Sequence, residues 1–149
     1  ALVHEKLYQS TDLSRIDFSE YIKRLSSYLF YTYNIDNRLI KLRIQARNVY
    51  LTVDKAIPCA LIINELITNS LKHAFINGNR GIISIKLYVK DSKYILQFCD
   101  NGTGLPEGLD IHNINTIGFD LIINLVEQID GFLELDKHKG TLFKITFPL

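Results

Sequence analysis

The sequence predicts a two-layer α/β sandwich, a mixed and mostly antiparallel sheet covered on one face by about three helices. Three observations predict it. Three stretches repeat apolar residues at a helical period, near Phe18–Tyr33, Pro58–Phe75 and Ile117–Ile129. Two pairs of alternating stretches meet at short turns, Asp91-Ser92 and His138-Lys139-Gly140, which makes hairpins and hence antiparallel neighbours. Strands and helices do not alternate regularly, so a doubly wound parallel sheet is excluded, and three amphipathic helices cover only one sheet face.

The elements follow in order. Ala1 to Gln9 reads as the end of a helix, too short to stand alone, that continues an upstream segment. Asp17 or Ser14 caps a helix over Phe18 to Tyr33, with Tyr21, Ile22, Leu25, Tyr28 and Leu29 as its buried face. Leu39 to Ala46 alternates, with Leu42 and Ile44 on one side and Lys41, Arg43 and Gln45 on the other. It is expected to pair with Val49 to Val53 around Arg47-Asn48. Asp54 is the expected cap of the central helix, which begins near Pro58 because proline suits only a first turn, and ends near Phe75 before Asn77-Gly78-Asn79. Gly81 to Lys90 and Lys93 to Cys99 form a hairpin. A helix over Ile117 to Ile129 is capped by Thr116 or Asn115, buries Leu121, Ile122, Leu125, Val126 and Ile129, and stops at Gly131. Phe132 to Lys137 and Thr141 to Phe147 close the sheet.

At 149 residues the chain is one ordinary domain, and a hydrophobic fraction of 47% with 22% charged residues excludes disorder. Lys and Arg number 17 against 16 Asp and Glu, so no basic footprint for nucleic acid stands out. Two cysteines, Cys59 and Cys99, are too few for a zinc site and sit in apolar elements, as reduced buried thiols do. The longest apolar run is interrupted by Asn64, Glu65 and Asn69, so no membrane span is predicted, and the start is not a signal peptide. The chain does not begin with methionine and reads as part of a longer protein.

The central helix carries Glu65 and Asn69 four residues apart, with Lys72 and His73 one turn later on the same side. An amide oxygen on Asn69 suits a hard cation such as Mg²⁺, Glu65 can hold a water or take a proton, and Lys72 can neutralise phosphate. Alone, this line is better described as a polar helix edge facing water. Asp100-Asn101-Gly102-Thr103-Gly104 follows a strand, so the sheet fixes Asp100, whose carboxylate can accept a hydrogen bond from the adenine amine. Gly102 and Gly104 permit close approach of a ligand, although Asp-Asn-Gly is also a common turn. A long irregular stretch then leads to Gly118 at a helix start, where free amides attract phosphate or where a small residue eases packing. Thr141, after Gly140, offers a hydroxyl at the start of the last strand, where a threonine is also ordinary.

In their order and spacing these segments resemble a known superfamily. Glu65-x-x-x-Asn69 is similar to its N box, Asp100-x-Gly102-x-Gly104 to its first glycine box, Gly118 to its second, and Gly140-Thr141-x-Phe143 to its final strand motif. The superfamily is that of gyrase, heat-shock chaperones, histidine kinases and mismatch-repair ATPases, whose ATP-binding sandwich is called the Bergerat fold. Asn69-Ser70-Leu71-Lys72-His73, a short lid and the ending Thr146-Phe147-Pro148 most resemble sensor histidine kinases. Val3-His4-Glu5-Lys6-Leu7-Tyr8 and Leu61-Ile62-Ile63-Asn64-Glu65-Leu66 resemble the branch with a divergent dimerisation domain.

The resemblance implies an ATP-binding catalytic domain over residues 11–149, preceded at 1–10 by the end of a dimerisation helix. It implies ATP and Mg²⁺ as cofactors, with Asn69 as metal ligand and Glu65 orienting groups around the γ-phosphate. Lys72 and His73 then face the phosphates, Asp100 reads adenine with Thr141 beside it, Gly102 and Gly104 shape the pocket, and Leu105 to Ile117 form a lid ending on Gly118. The implied partners are a histidine-bearing dimerisation domain outside this chain and the receiver domain of a response regulator. The implied setting is a cytoplasmic part of a homodimer, soluble or membrane-anchored. Two departures stand out: Thr116 occupies the first glycine position of the second box, and the phenylalanine-containing lid motif is missing between Gly104 and Gly118. His4-Glu5 imitates a phosphoacceptor pair, but no Thr-Pro or Asn-Pro follows, and in the branch it resembles this wording marks the end of the dimerisation hairpin, after the acceptor. A serine kinase or ATPase regulator of the same superfamily, and a nucleotide-binding module without turnover, are the alternatives.

Overall fold

The computed structural model describes residues 15–74, 80–102, 117–136 and 140–149. Strand β1 (Ile16–Asp17) leads into helix α1 (Phe18–Thr32), followed by β2 (Ile40–Ala46) and β3 (Tyr50–Leu51). Helix α2 (Val53–Asn69) runs on into a π-helical turn, Ser70–Ala74. The hairpin β4 (Gly81–Lys90) and β5 (Lys93–Asp100), helix α3 (Ile117–Gln128) and the hairpin β6 (Phe132–Asp136) and β7 (Thr141–Pro148) complete the chain. The expected elements at Ala1–Gln9, the Ser14, Asn115 and Thr116 caps and the turns at Asn77-Gly78-Asn79 and His138-Lys139 lie outside the described residues. No helix among the described residues is long and apolar enough to cross a membrane.

The five-stranded sheet has the order β2-β4-β5-β7-β6, parallel between β2 and β4 and antiparallel elsewhere, so it is mixed and mostly antiparallel. Its inner face is built of rungs. Ile44, Ile85, Phe98, Phe143 and Leu135 stand side by side, and Ala46, Leu87, Leu96, Ile145 and Leu133 form the next row. Against these rows pack Ile22 and Leu25 of α1, Ile62, Ile63, Leu66 and Ile67 of α2, and Ile122, Leu125 and Val126 of α3, all in one core. The opposite face is polar: Gln45, Lys86, Gln97, Lys144 and Glu134 share a rung there. Strand alternation puts the two sets on opposite sides, which is why the helices need only one layer.

Several local expectations hold for visible reasons. Asp17 caps α1, its carboxylate accepting the Glu20 amide at 3.1 Å. Asp91 and Ser92 have φ of 52° and 61°, the left-handed pair that a two-residue hairpin of the right twist requires.

Others are corrected. β2 does not form a hairpin with the following strand: it pairs in parallel with β4, while Tyr50–Leu51 pairs with Ile16–Asp17 in a separate two-stranded ribbon. The alternation of Leu42 and Ile44 was a true strand signal, but alternation identifies faces and not partners. The central helix starts at Val53, not near Pro58, and Thr52 rather than Asp54 is its N-cap. Pro58 withholds the donor for the Asp54 carbonyl, which lies at the exposed start of the helix where water can replace it. Asp54 instead takes the Thr52 hydroxyl, which holds its carboxyl below the ordinary value. Tyr28 is exposed, and Phe18 and Phe30 join the buried face of α1 in its place. At the end of α3, Asp130 with φ of 54° turns the chain before Gly131 is reached.

Candidate functional site

The third inner rung breaks the apolar pattern. Leu42 and Ile83 continue it, but the next two positions are Asp100 at the end of β5 and Thr141 at the start of β7. Both are buried, at 4% and 7% exposure. A buried carboxylate is costly unless it is hydrogen-bonded. Here the Ser70 hydroxyl donates to Asp100 Oδ2 at 2.7 Å and the Gly102 amide donates to Oδ1 at 3.1 Å. The loop after β5 is held in turn by Asn101, whose Oδ1 accepts the Ile82 amide at 2.7 Å and whose own amide donates to the Ile82 carbonyl.

Ser70 reaches Asp100 from the junction where α2 passes into its π turn. The wider turn changes the angle at which successive side chains leave the axis, so the single helical stripe expected through residues 65, 69, 72 and 73 does not continue unbroken. Glu65 and Asn69 are half-buried on α2 just before this junction. Lys72 is exposed and its ammonium lies over the Tyr33 ring, 5.8 Å from the centroid, on the α1 side. The side chain of His73 lies outside the described set, as do Gly104 and the lid from Leu105 to Thr116. Gly118 sits in the first turn of α3, next to Phe119, whose ring stacks on Phe143 at 6.1 Å. That contact ties the start of α3 to β7, two residues from Thr141.

The structure thus gathers Asp100, Gly102 and Thr141, with Asn69 and Glu65 on the helix that delivers Ser70. Lys72 is directed elsewhere.

Two residues of this corner were absent from the expected site. Ser70 enters the expected picture only within the Asn69-to-His73 stretch of the resemblance; its hydroxyl at helical spacing from Leu66 and Ile67 is the one available signal. Gly140, expected as a turn glycine and as the opening of the final strand motif, has φ of 103°, and a Cβ there would collide with the Asp100 carbonyl oxygen. Its bare backbone lets β7 begin against the end of β5. The thiols take no part: burial pushes Cys59 up to about 12 and raises Cys99 as well, which keeps both protonated.

A family profile described as "Histidine kinase-, DNA gyrase B-, and HSP90-like ATPase" matches residues 54–149. The chain belongs to this ATPase family. A second profile, described as "Histidine kinase", matches residues 1–33. A blue-light-activated histidine kinase 2 of Erythrobacter litoralis is 29% identical over 96% of this chain, which spans 44% of that relative. An anti-sigma F factor of Geobacillus kaustophilus is 24% identical over 60% of the chain and 67% of its own length. Among solved structures, a blue-light-activated histidine kinase of Erythrobacter litoralis superposes with a TM-score of 0.90 at 27% identity, over 99% of this chain and 46% of that one. The two-layer fold and the ATP-binding catalytic domain of histidine-kinase type are borne out. Family membership implies ATP binding.

The geometry makes Gly140→Ala a sharp probe of the corner. Backbone strain of about 1–3 kcal/mol, with the collision added, should lower the midpoint of urea denaturation clearly. An unchanged midpoint would show that the β5–β7 contact yields without cost.

Proposed function

We propose that residues 11–149 bind ATP with Mg²⁺ and present its γ-phosphate to a histidine on a dimerisation domain outside this chain, as the catalytic part of a protein-histidine kinase. The observation that carries this reading is the buried Asp100 carboxylate, fixed by Ser70 and Gly102 beside Thr141. A carboxylate so placed accepts a hydrogen bond from the exocyclic amine of adenine, and Thr141 adds a hydroxyl next to it. Guanine carries a carbonyl oxygen at the corresponding position, which a carboxylate repels.

The donor set fits a hard cation. Asn69 offers a half-buried amide oxygen at the junction of α2 with its π turn, and Glu65 stands one turn before it. Mg²⁺ bound there would neutralise phosphate charge. Glu65 orients groups around the γ-phosphate, and the amides at the start of α3, near Gly118, meet phosphate oxygens. Gly102 and Gly104 shape the pocket, and His73 and Lys72 face the phosphates, Lys72 by leaving the Tyr33 ring. Phosphoryl transfer then forms a bond from an imidazole nitrogen to the γ-phosphorus as the bond to the bridging oxygen breaks and ADP departs. The protein contributes mainly position and charge. Residues 1–10 close the upstream dimerisation helix, the whole protein is a homodimer with its kinase part in the cytoplasm, and a receiver domain takes the phosphoryl group onward.

The serine-kinase alternative draws on the anti-sigma F factor relatives, but the histidine kinase match extends over nearly the whole chain. That extent favours the histidine acceptor.

Asp100→Asn should weaken adenine-nucleotide binding by roughly 10–100-fold, the worth of a hydrogen bond to a charged group, with the circular dichroism spectrum unchanged. Unaltered affinity would remove Asp100 from the role of adenine reader. Asn69→Ala, titrated with and without Mg²⁺, should lose mainly the Mg²⁺-dependent part of the affinity; an equal fall in both parts would make Asn69 a structural residue.

A further inference from the structure

β2 is the terminal strand of the five-stranded sheet, and its orientation toward β4 is known. The Leu39 carbonyl accepts the Gly81 amide at 2.8 Å, and the parallel register continues through Ala46 and Leu87. In a parallel ladder alternate residues bond the same neighbour, so the odd-numbered residues bond β4. Leu42, Ile44 and Ala46 therefore turn their N–H and C=O groups toward the open edge. Ile40 follows the same rule, its amide turning away to the Asp36 carbonyl at 3.1 Å. Among the described residues Leu42, Ile44 and Ala46 have no backbone partner on that side.

A cavity of about 560 Å³ lies at the C-terminal end of this edge, lined by Ile44, Gln45, Ala46 and Arg47 together with Lys23 of α1 and Lys86, Leu87 and Tyr88 of β4. Lys23, Arg47 and Lys86 are exposed, and no lining residue is acidic. Lys23, Arg47 and Lys86 belong neither to the Glu20–Arg24 ion pair nor to the Asp36–Arg38 pair. Charged side chains on an edge strand commonly ward off unwanted pairing. Lys41 and Arg43 serve that purpose on β2 itself, whereas Lys23 and Lys86 come from other elements and converge on the same trough.

We propose that the open edge of β2 is a docking site for an extended, acidic segment of a partner protein, which adds to the sheet as a further strand. Main-chain hydrogen bonds to Leu42, Ile44 and Ala46 hold it, and its carboxylates meet Lys23, Arg47 and Lys86. The site is distinct from the nucleotide corner at the ends of β5 and β7.

The full chain is titrated, by fluorescence anisotropy, with a labelled short polyglutamate peptide, whose carboxylates reach both faces of an added strand, and with its polylysine counterpart. The glutamate peptide should bind, more weakly as salt is raised, and the lysine peptide should not. Hydrogen exchange followed by NMR should slow at the amides of Leu42, Ile44 and Ala46. The double variant Lys23→Glu, Lys86→Glu should weaken binding by about tenfold or more while nucleotide affinity and melting temperature stay as they were. Equal binding of both peptides, protection at other amides, or no binding at ~1 mM peptide would each overturn the proposal. Displacement by inorganic phosphate without amide protection would also overturn it, by marking a small-anion site.

Discussion

A carboxylate set into an apolar sheet face governs the rest of this structure. Asp100 occupies a position where the neighbouring rungs carry Phe98, Phe143, Leu96 and Ile145, and it is almost as buried as they are. Leaving such a group without donors would cost several kcal/mol, so its surroundings must be arranged around it. The Ser70 hydroxyl is brought by the end of α2, the Gly102 amide by the loop after β5, and Gly140 clears room for β7. Three separated segments are thereby committed to one point.

The apolar layer makes that commitment affordable. Ile62, Ile63, Leu66 and Ile67 seat α2 on the sheet through a continuous core shared with α1 and α3, and the same seating places Ser70 within reach of Asp100. Packing therefore supplies the precision, and the polar contacts spend it at a single corner. The π turn from Ser70 to Ala74 begins at the residue whose hydroxyl reaches Asp100.

Most of the elements were legible because their signals are local. Asp17 caps α1 through its own side chain, and Asp91-Ser92 can turn a hairpin because both residues tolerate positive φ. What escaped depends on distant partners. Nothing near β2 announces that its neighbour is β4 across the whole of α2, so adjacency in sequence suggested a hairpin instead. Tyr28 fits the helical stripe by spacing but has no facing surface to cover it. Of the candidate site, the meeting of Asp100, Gly102 and Thr141 at one corner was legible from a strand end, a glycine and a strand start. Ser70 was hidden because a hydroxyl inside an apolar stripe declares a partner only when the acceptor, thirty residues on, is in place. Lys72 shows the converse limit: its spacing after Asn69 is regular, yet its side chain rests over Tyr33.

The central claim is that Asp100 makes this corner an adenine site. Calorimetric titration of the chain with uncleavable analogues of ATP and GTP, in the presence of Mg²⁺, tests it most directly. The account predicts saturable binding of the adenine nucleotide and affinity for the guanine nucleotide lower by about tenfold or more. Equal affinities, or no heat from either, would contradict it.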